Sequence, residues 1–124
     1  MKFNISIIGL GYIGLPFALL LSKKGFNVNG VDVNKKKIET LNKGKFISEE
    51  ADINKIYKLS GNNISYSTKL FNSKFYILCL PTPINKSLKC DLSFLIDGLT
   101  QISEVIKIND TIIIESTVPI GTTS

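Results

Sequence analysis

The stretch from Phe3 to Asp32 constrains this chain more than any other. An apolar run, Phe3 to Ile8, leads into Gly9-Leu10-Gly11-Tyr12-Ile13-Gly14, and a second apolar run closes at Asp32. Strand, glycine turn, helix, strand and terminal acid together make the dinucleotide-binding fingerprint in its full context, which a chance glycine triplet does not. Gly9 permits the tight turn out of the strand. Gly11, lacking a Cβ, lets main chain approach a pyrophosphate, and Gly14 lets the next helix pack closely on the strand. Unpaired N–H groups at that helix N-terminus then face the phosphates. Asp32 puts a carboxylate where it accepts both ribose hydroxyls of an adenosine. It also repels a 2′-phosphate, so NAD is expected over NADP. Lys35-Lys36-Lys37 is the counter-signal, since cations hold such a phosphate; three lysines early in a helix read more simply as a solvated face. Replacing Asp32 with Asn is expected to weaken NAD binding with little loss of fold.

The rest of the chain alternates strand and helix. Helix signals run from about Gly14 to Lys24, with Pro16 tolerated in the first turn and Gly25 as a stop. A strand from Asn27 to Val33 follows, then a helix capped by Asn34 and stopped near Gly44. Residues 48–59 read as another short helix capped by Ser48, and Ile64 to Ser67 as a short peripheral strand. Lys74 to Leu80 is apolar on both faces, as expected of a strand covered by helices on each side. Pro81-Thr82-Pro83 ends it and fixes a rigid wall suited to a cofactor. A helix capped by Asp91 carries Leu92, Leu95, Ile96, Leu99, Ile102 and Ile106 at the 3.6-residue period. Asn109-Asp110 then turns into a last strand, Thr111 to Glu115. The pattern predicts an α/β fold, a doubly wound parallel sheet of Rossmann type, incomplete at its C-terminal end. In such sheets ligands lie beyond the carboxyl ends of the strands, where the loops 9–14, 80–83 and 115–118 are expected to converge.

Composition narrows the function classes. The chain of 124 residues suits one domain, 1–124, around a single sheet. Its net charge of +5 comes from scattered lysines, with no arginine forks or basic-aromatic clusters, so nucleic acid is not an expected partner. The uncharged stretch Ile5 to Ser22 is broken by glycines and Pro16 and lacks a cleavage site, so neither a secretory leader nor a membrane span is expected and a cytoplasmic location is. Two cysteines and no histidine make a metal site unexpected. Cys79 reads as a reduced core residue inside the fourth strand, and Cys90 as a loop residue.

Five segments in order carry a resemblance: Gly-Leu-Gly-Tyr-Ile-Gly-Leu-Pro at 9–16, Asp-Val-Asn at 32–34, Leu-Pro-Thr-Pro-Ile at 80–84, Asp-Leu-Ser at 91–93 and Glu-Ser-Thr-Val-Pro at 115–119. Together they resemble the N-terminal NAD-binding domain of the nucleotide-sugar 6-dehydrogenases, which oxidise UDP-glucose or UDP-N-acetylhexosamines to uronic acids. The form Pro-Thr-Pro-Ile is closer to the N-acetylhexosamine branch. The resemblance implies that Gly9, Gly11, Tyr12, Ile13 and Gly14 hold the NAD diphosphate and Asp32 the adenosine ribose, with Lys37 nearby. It further implies that Leu80, Pro81, Thr82 and Pro83 line the cofactor. Ser116, Thr117 and Val118 would reach its nicotinamide end, Thr117 also helping to position an active-site water. Cys90 departs from the proline common before the Asp-Leu pair, a difference bearing on loop stiffness.

The same resemblance implies what lies elsewhere. The family passes from alcohol to aldehyde and from thiohemiacetal to thioester by successive hydride transfers, using a cysteine nucleophile, a lysine and an asparagine from a later region. Neither Cys79 nor Cys90 matches that nucleophile. The substrate domain that holds the UDP-sugar is expected to be absent from this chain, which reads as a truncated piece of a homo-oligomeric enzyme, inactive alone, with its fifth strand an exposed edge. Two alternatives are a domain of a 3-hydroxyacid or 6-phosphogluconate type dehydrogenase and a nucleotide-sensing module that gates ion transport. The 80–84 segment argues against the first, and both nicotinamide-side loops argue against the second.

Overall fold

In the computed structural model, residues 3–11, 13–45, 51–59, 63–79 and 93–114 are described. The elements in chain order are β1 (Phe3–Ile8), α1 (Gly14–Lys23), β2 (Val28–Val31), α2 (Lys35–Asn42), α3 (Ala51–Leu59), β3 (Ile64–Ser67), β4 (Ser73–Leu78), α4 (Ser93–Val105) and β5 (Thr111–Ile114). The strands form one parallel sheet in the order β3-β2-β1-β4-β5. The chain starts at the centre, winds outward to β3, then crosses back to β4 and winds the other way, which is the double winding expected from the alternating pattern.

Period-two alternation divides the core. Ile5 and Ile7 of β1, Val28 of β2, Tyr66 of β3 and Ile77 of β4 meet Leu15, Ala18, Leu19, Ile38, Leu41, Ile53 and Tyr57 from the helices on one face. Ile8, Val31, Tyr76 and Leu78 meet Leu70 and Ile102 on the other. Central strands buried on both faces read as near-continuous apolar runs, and in β1 only the exposed Asn4 and the buried Ser6 interrupt the run.

Helix ends follow their local chemistry. Asn34 takes extended backbone, and its side-chain oxygen accepts the Lys37 N–H at 3.0 Å, capping α2. Both α1 and α2 stop at a glycine with positive φ: Gly25 at 99° and Gly44 at 72°. The paired bonds Phe26 N–H to Leu21 O and Gly25 N–H to Ser22 O close α1, and Lys45 N–H to Thr40 O with Gly44 N–H to Leu41 O close α2.

Three expectations need correction. The strand after α1 is shorter than Asn27 to Val33, because Asp32 and Asn34 form their own side-chain turn, Asn34 N–H to Asp32 Oδ1 at 3.0 Å. The fourth strand is covered on both faces only from Tyr76 onward; Phe75 is 41% exposed. Phe75 lies on the face of Ile5 and Ile7; Ile77, further along β4, joins the cluster that the described helices form on that face, whereas Phe75 does not. On α4 the period holds for Leu95, Leu99 and Ile102, but Ile96 is 59% exposed, one position off the buried stripe. β5 forms one edge of the sheet, with all its residues exposed. No helix among the described residues is long and apolar enough to cross a membrane, and no cluster among them offers a metal site.

Candidate functional site

Parallel register sets the site. Ile8 of β1 lies beside Val31 of β2 and Leu78 of β4, so these strands end level with one another. The ladders run one residue further, through Gly9 N–H to Val31 O at 2.8 Å and Cys79 N–H to Ile8 O at 2.8 Å. Cys79 therefore sits just past the strand rather than inside it, half-buried, with no disulfide. A cavity of about 380 Å³ opens where these ends meet. Its floor is Ile8 to Gly11, its β2 side is Val31, Asp32, Val33 and Lys37, and its β4 side is Cys79 with Asp97, Gly98 and Gln101 of α4. Ligand pockets run from about 300 to 1,000 Å³, so this volume suits a nucleoside with its phosphate better than a whole dinucleotide.

The glycine turn is built by two different demands. Gly9 has φ 99°, in the left-handed region. A Cβ on Gly14 would overlap the Gly9 carbonyl oxygen and crowd Cys79 Cβ at 3.1 Å. These two glycines are required by the fold itself. Gly11 is different: it is exposed, and a Cβ there would meet nothing within 4 Å. Nothing described in the protein requires glycine at 11, so the bare backbone there is a cradle open toward whatever enters the cavity.

Leu10, between them, is clamped. Its N–H donates to Asp32 Oδ2 at 2.9 Å, its carbonyl accepts the Lys37 ammonium at 2.8 Å, and its side chain is buried against Gly30. Asp32 thus spends one lone pair of each carboxylate oxygen on main chain, Leu10 N–H and Asn34 N–H, leaving one on each for a pair of hydroxyls. The N-terminus of α1 has no side-chain cap and no acid in its first turn, whereas α2 is capped by Asn34. Uncapped N–H groups beside an exposed glycine form an anion site by charge and geometry. The residues present therefore fit a diphosphate next to a ribose.

The structure brings together Gly9, Gly11, Asp32 and Lys37 around the cavity, with Ile13 and Gly14 at the start of α1 beside it. Tyr12, Leu80, Pro81, Thr82, Pro83, Ser116, Thr117 and Val118 lie outside the described residues, as do Cys90 and the caps Ser48 and Asp91. Sequence reading missed Val33, Cys79, Asp97, Gly98 and Gln101 as cavity lining. Gly98 was the available signal, because glycine inside a helix costs about 1 kcal/mol and marks a close approach.

A doubly wound sheet with a glycine turn after β1 and an acid after β2 defines the dinucleotide-binding class of α/β domains. The chain belongs to the UDP-glucose/GDP-mannose dehydrogenase family, whose NAD binding domain matches residues 3–124. It is 39% identical over 125 residues to a UDP-N-acetyl-D-mannosamine dehydrogenase of Methanocaldococcus jannaschii, covering 97% of this chain and 29% of that protein. The enzyme of the same name from Yersinia pestis is 37% identical over 122 residues, again covering 97% of this chain and 29% of the relative. Among solved structures, the UDP-N-acetyl-mannosamine dehydrogenase of Staphylococcus aureus matches with TM-score 0.86 at 36% identity, over 95% of this chain and 29% of that one. The GDP-mannose dehydrogenase of Pseudomonas aeruginosa matches with TM-score 0.84 at 31% identity, over 97% and 30%. The chain spans about 30% of the length of the curated relatives it matches. The expected family, fold and cofactor class are borne out.

Proposed function

We propose that this chain is the NAD-holding part of a nucleotide-sugar 6-dehydrogenase acting on a UDP-N-acetylhexosamine, with UDP-N-acetylmannosamine favoured by the relatives' names. The observation that carries this reading is Asp32, fixed by two main-chain N–H groups while lining the cavity beside the bare Gly11. When bound, NAD would supply the hydride acceptor for oxidation of the sugar. The chain's own residues bind and orient. Gly9, Gly11, Tyr12, Ile13 and Gly14 receive the diphosphate on main-chain N–H groups. Asp32 accepts the ribose hydroxyls, and Lys37 holds the turn in place through Leu10. Leu80, Pro81, Thr82 and Pro83 form the wall along the cofactor. Ser116, Thr117 and Val118 reach its nicotinamide end, and Thr117 positions a water.

In this reading residues 1–124 are a dinucleotide-binding domain. The sugar site, the nucleophile and the oligomer contacts come from sequence these residues do not contain, and the complete enzyme is a cytoplasmic homo-oligomer. The 124-residue chain alone binds NAD and does not turn over a UDP-sugar, because the cysteine that forms the covalent adduct is not among its residues. Calorimetric titration of the chain with NAD and NADP tests this. Binding of NAD with NADP about tenfold weaker or worse supports the reading. Equal affinity for both, or uronic acid formed by the chain alone, overturns it.

A further inference from the structure

The α4 wall of the cavity has no task in the reading so far. If the diphosphate lies over Gly11 and α1 and the ribose is tethered at Asp32, the base extends toward the β2 and α4 sides of the described lining, among them Val31, Val33, Asp97, Gly98 and Gln101. Val33 is an apolar side chain 75% exposed at the cavity, a surface on which a planar ring stacks. Gly98, buried in the middle of α4, lines the cavity and brings no side chain to it, a notch between its helical neighbours. Asp97 and Gln101 flank the notch, four residues apart and so one above the other on a helix. Asp97 is exposed and Gln101 half-buried. Neither follows the apolar stripe of Leu95, Leu99, Ile102 and Val105 that holds α4 to the sheet, so the packing of the helix does not need them.

We propose that Asp97 and Gln101 read the edge of the adenine, making the base, and not only the ribose and diphosphate, a determinant of dinucleotide choice. This rests on the reading that the cavity takes the adenosine half of NAD. The hydrogen-bonding patterns match. A glutamine amide pairs with both the exocyclic amine and N7 of adenine, and a carboxylate accepts from an amine N–H. A purine with a carbonyl at that ring position presents an acceptor where adenine presents a donor. Asp97, acceptor-only, then faces another acceptor. A site built to bond a group rejects an analogue lacking it far more strongly than an apolar slot does.

The test is calorimetry of the 124-residue chain with NAD and with nicotinamide hypoxanthine dinucleotide, which carries a carbonyl for the adenine amine and an N–H at N1. The wild-type chain is expected to prefer NAD by about tenfold. Asp97→Asn, whose amide can donate to that carbonyl, is expected to bring the ratio near one. Gln101→Leu is expected to weaken NAD more than the analogue. Asp32→Asn is expected to weaken both dinucleotides in parallel, since it acts on the ribose. A wild-type ratio of one, or a ratio unchanged in both α4 variants while NAD still binds, overturns the base-reading role and leaves the NAD assignment standing. Equal losses for both dinucleotides in the α4 variants also overturn it. No binding of either dinucleotide by the wild-type chain overturns both proposals. Circular dichroism of each variant distinguishes lost recognition from lost fold.

Discussion

Asp32 Oδ2 accepts the Leu10 N–H at 2.9 Å, tying the residue after β2 to the middle of the glycine turn after β1. The acid is therefore part of the turn's own construction as well as a ligand group. This revises the expectation that Asp32→Asn leaves the fold nearly untouched. An asparagine keeps one acceptor oxygen and turns an NH2 toward either Leu10 N–H or Asn34 N–H, so one of these donors loses its partner. The expected cost is about 1–2 kcal/mol in urea denaturation, alongside a roughly tenfold loss of NAD affinity. Unchanged stability with lost affinity would assign Asp32 to the ligand alone.

The glycines at 11 and 14 look alike in sequence and differ in kind. Gly14→Ala forces a Cβ onto the Gly9 carbonyl, a backbone atom that cannot move without opening the turn. A loss of more than about 3 kcal/mol is expected, enough to unfold a marginal domain. Gly11→Ala meets no neighbour and should change stability by less than about 0.5 kcal/mol. It should still lower dinucleotide affinity, because the added methyl stands where main chain would approach a phosphate. Equal Tm values for the two variants, or undiminished NAD binding by Gly11→Ala, would defeat this division.

Much of this was legible beforehand, for identifiable reasons. Phe3 to Ile8, Asn34, Gly25 and Gly44 are local signals: their meaning is set by a few neighbouring residues, and the structure uses them as expected. Three-dimensional neighbours carry no local signal. That Lys37 spends its ammonium on the Leu10 carbonyl depends on α2 folding back beside the turn, across 27 positions of sequence. That α4 supplies a wall of the cavity depends on the crossover to β4. Phe75 was misread because a strand's apolar character reports what can cover it, and the described helices cover only part of its length.

At the opposite end of the sheet, Tyr76 organises a polar knot. Its side chain is fully buried, and its hydroxyl accepts the Ser73 N–H at 2.9 Å and an Asn72 amide N–H at 3.0 Å. The same Asn72 amide reaches Val105 O and Asp110, tying the end of α4 to the start of β4. Tyr76→Phe keeps the ring and removes the acceptor, leaving the buried Ser73 N–H unpaired. A loss of about 1–3 kcal/mol is expected, with NAD affinity unchanged because the knot lies at the far ends of the strands. Equilibrium denaturation and calorimetry on one preparation check both halves.

Asn29 makes the opposite case. It is fully buried in β2, and neither its side-chain oxygen nor its nitrogen has a hydrogen-bond partner among the described residues. It stands in register with Ser6, but Ser6 bonds Ser73 instead. An amide taken from water without a partner costs about 1–3 kcal/mol by protein mutational measures. Valine is smaller, apolar and β-branched, and suits a strand buried on both faces. Asn29→Val is therefore expected to raise stability by about 1 kcal/mol, the removed penalty being partly offset by lost packing volume. Asn29→Asp keeps the shape but buries a charge, and should cost more than about 3 kcal/mol at neutral pH. If thermal denaturation shows the valine variant less stable than the parent, Asn29 makes bonds that compensate its burial, and the polar strip it shares with Ser6 and Ser73 works as one network.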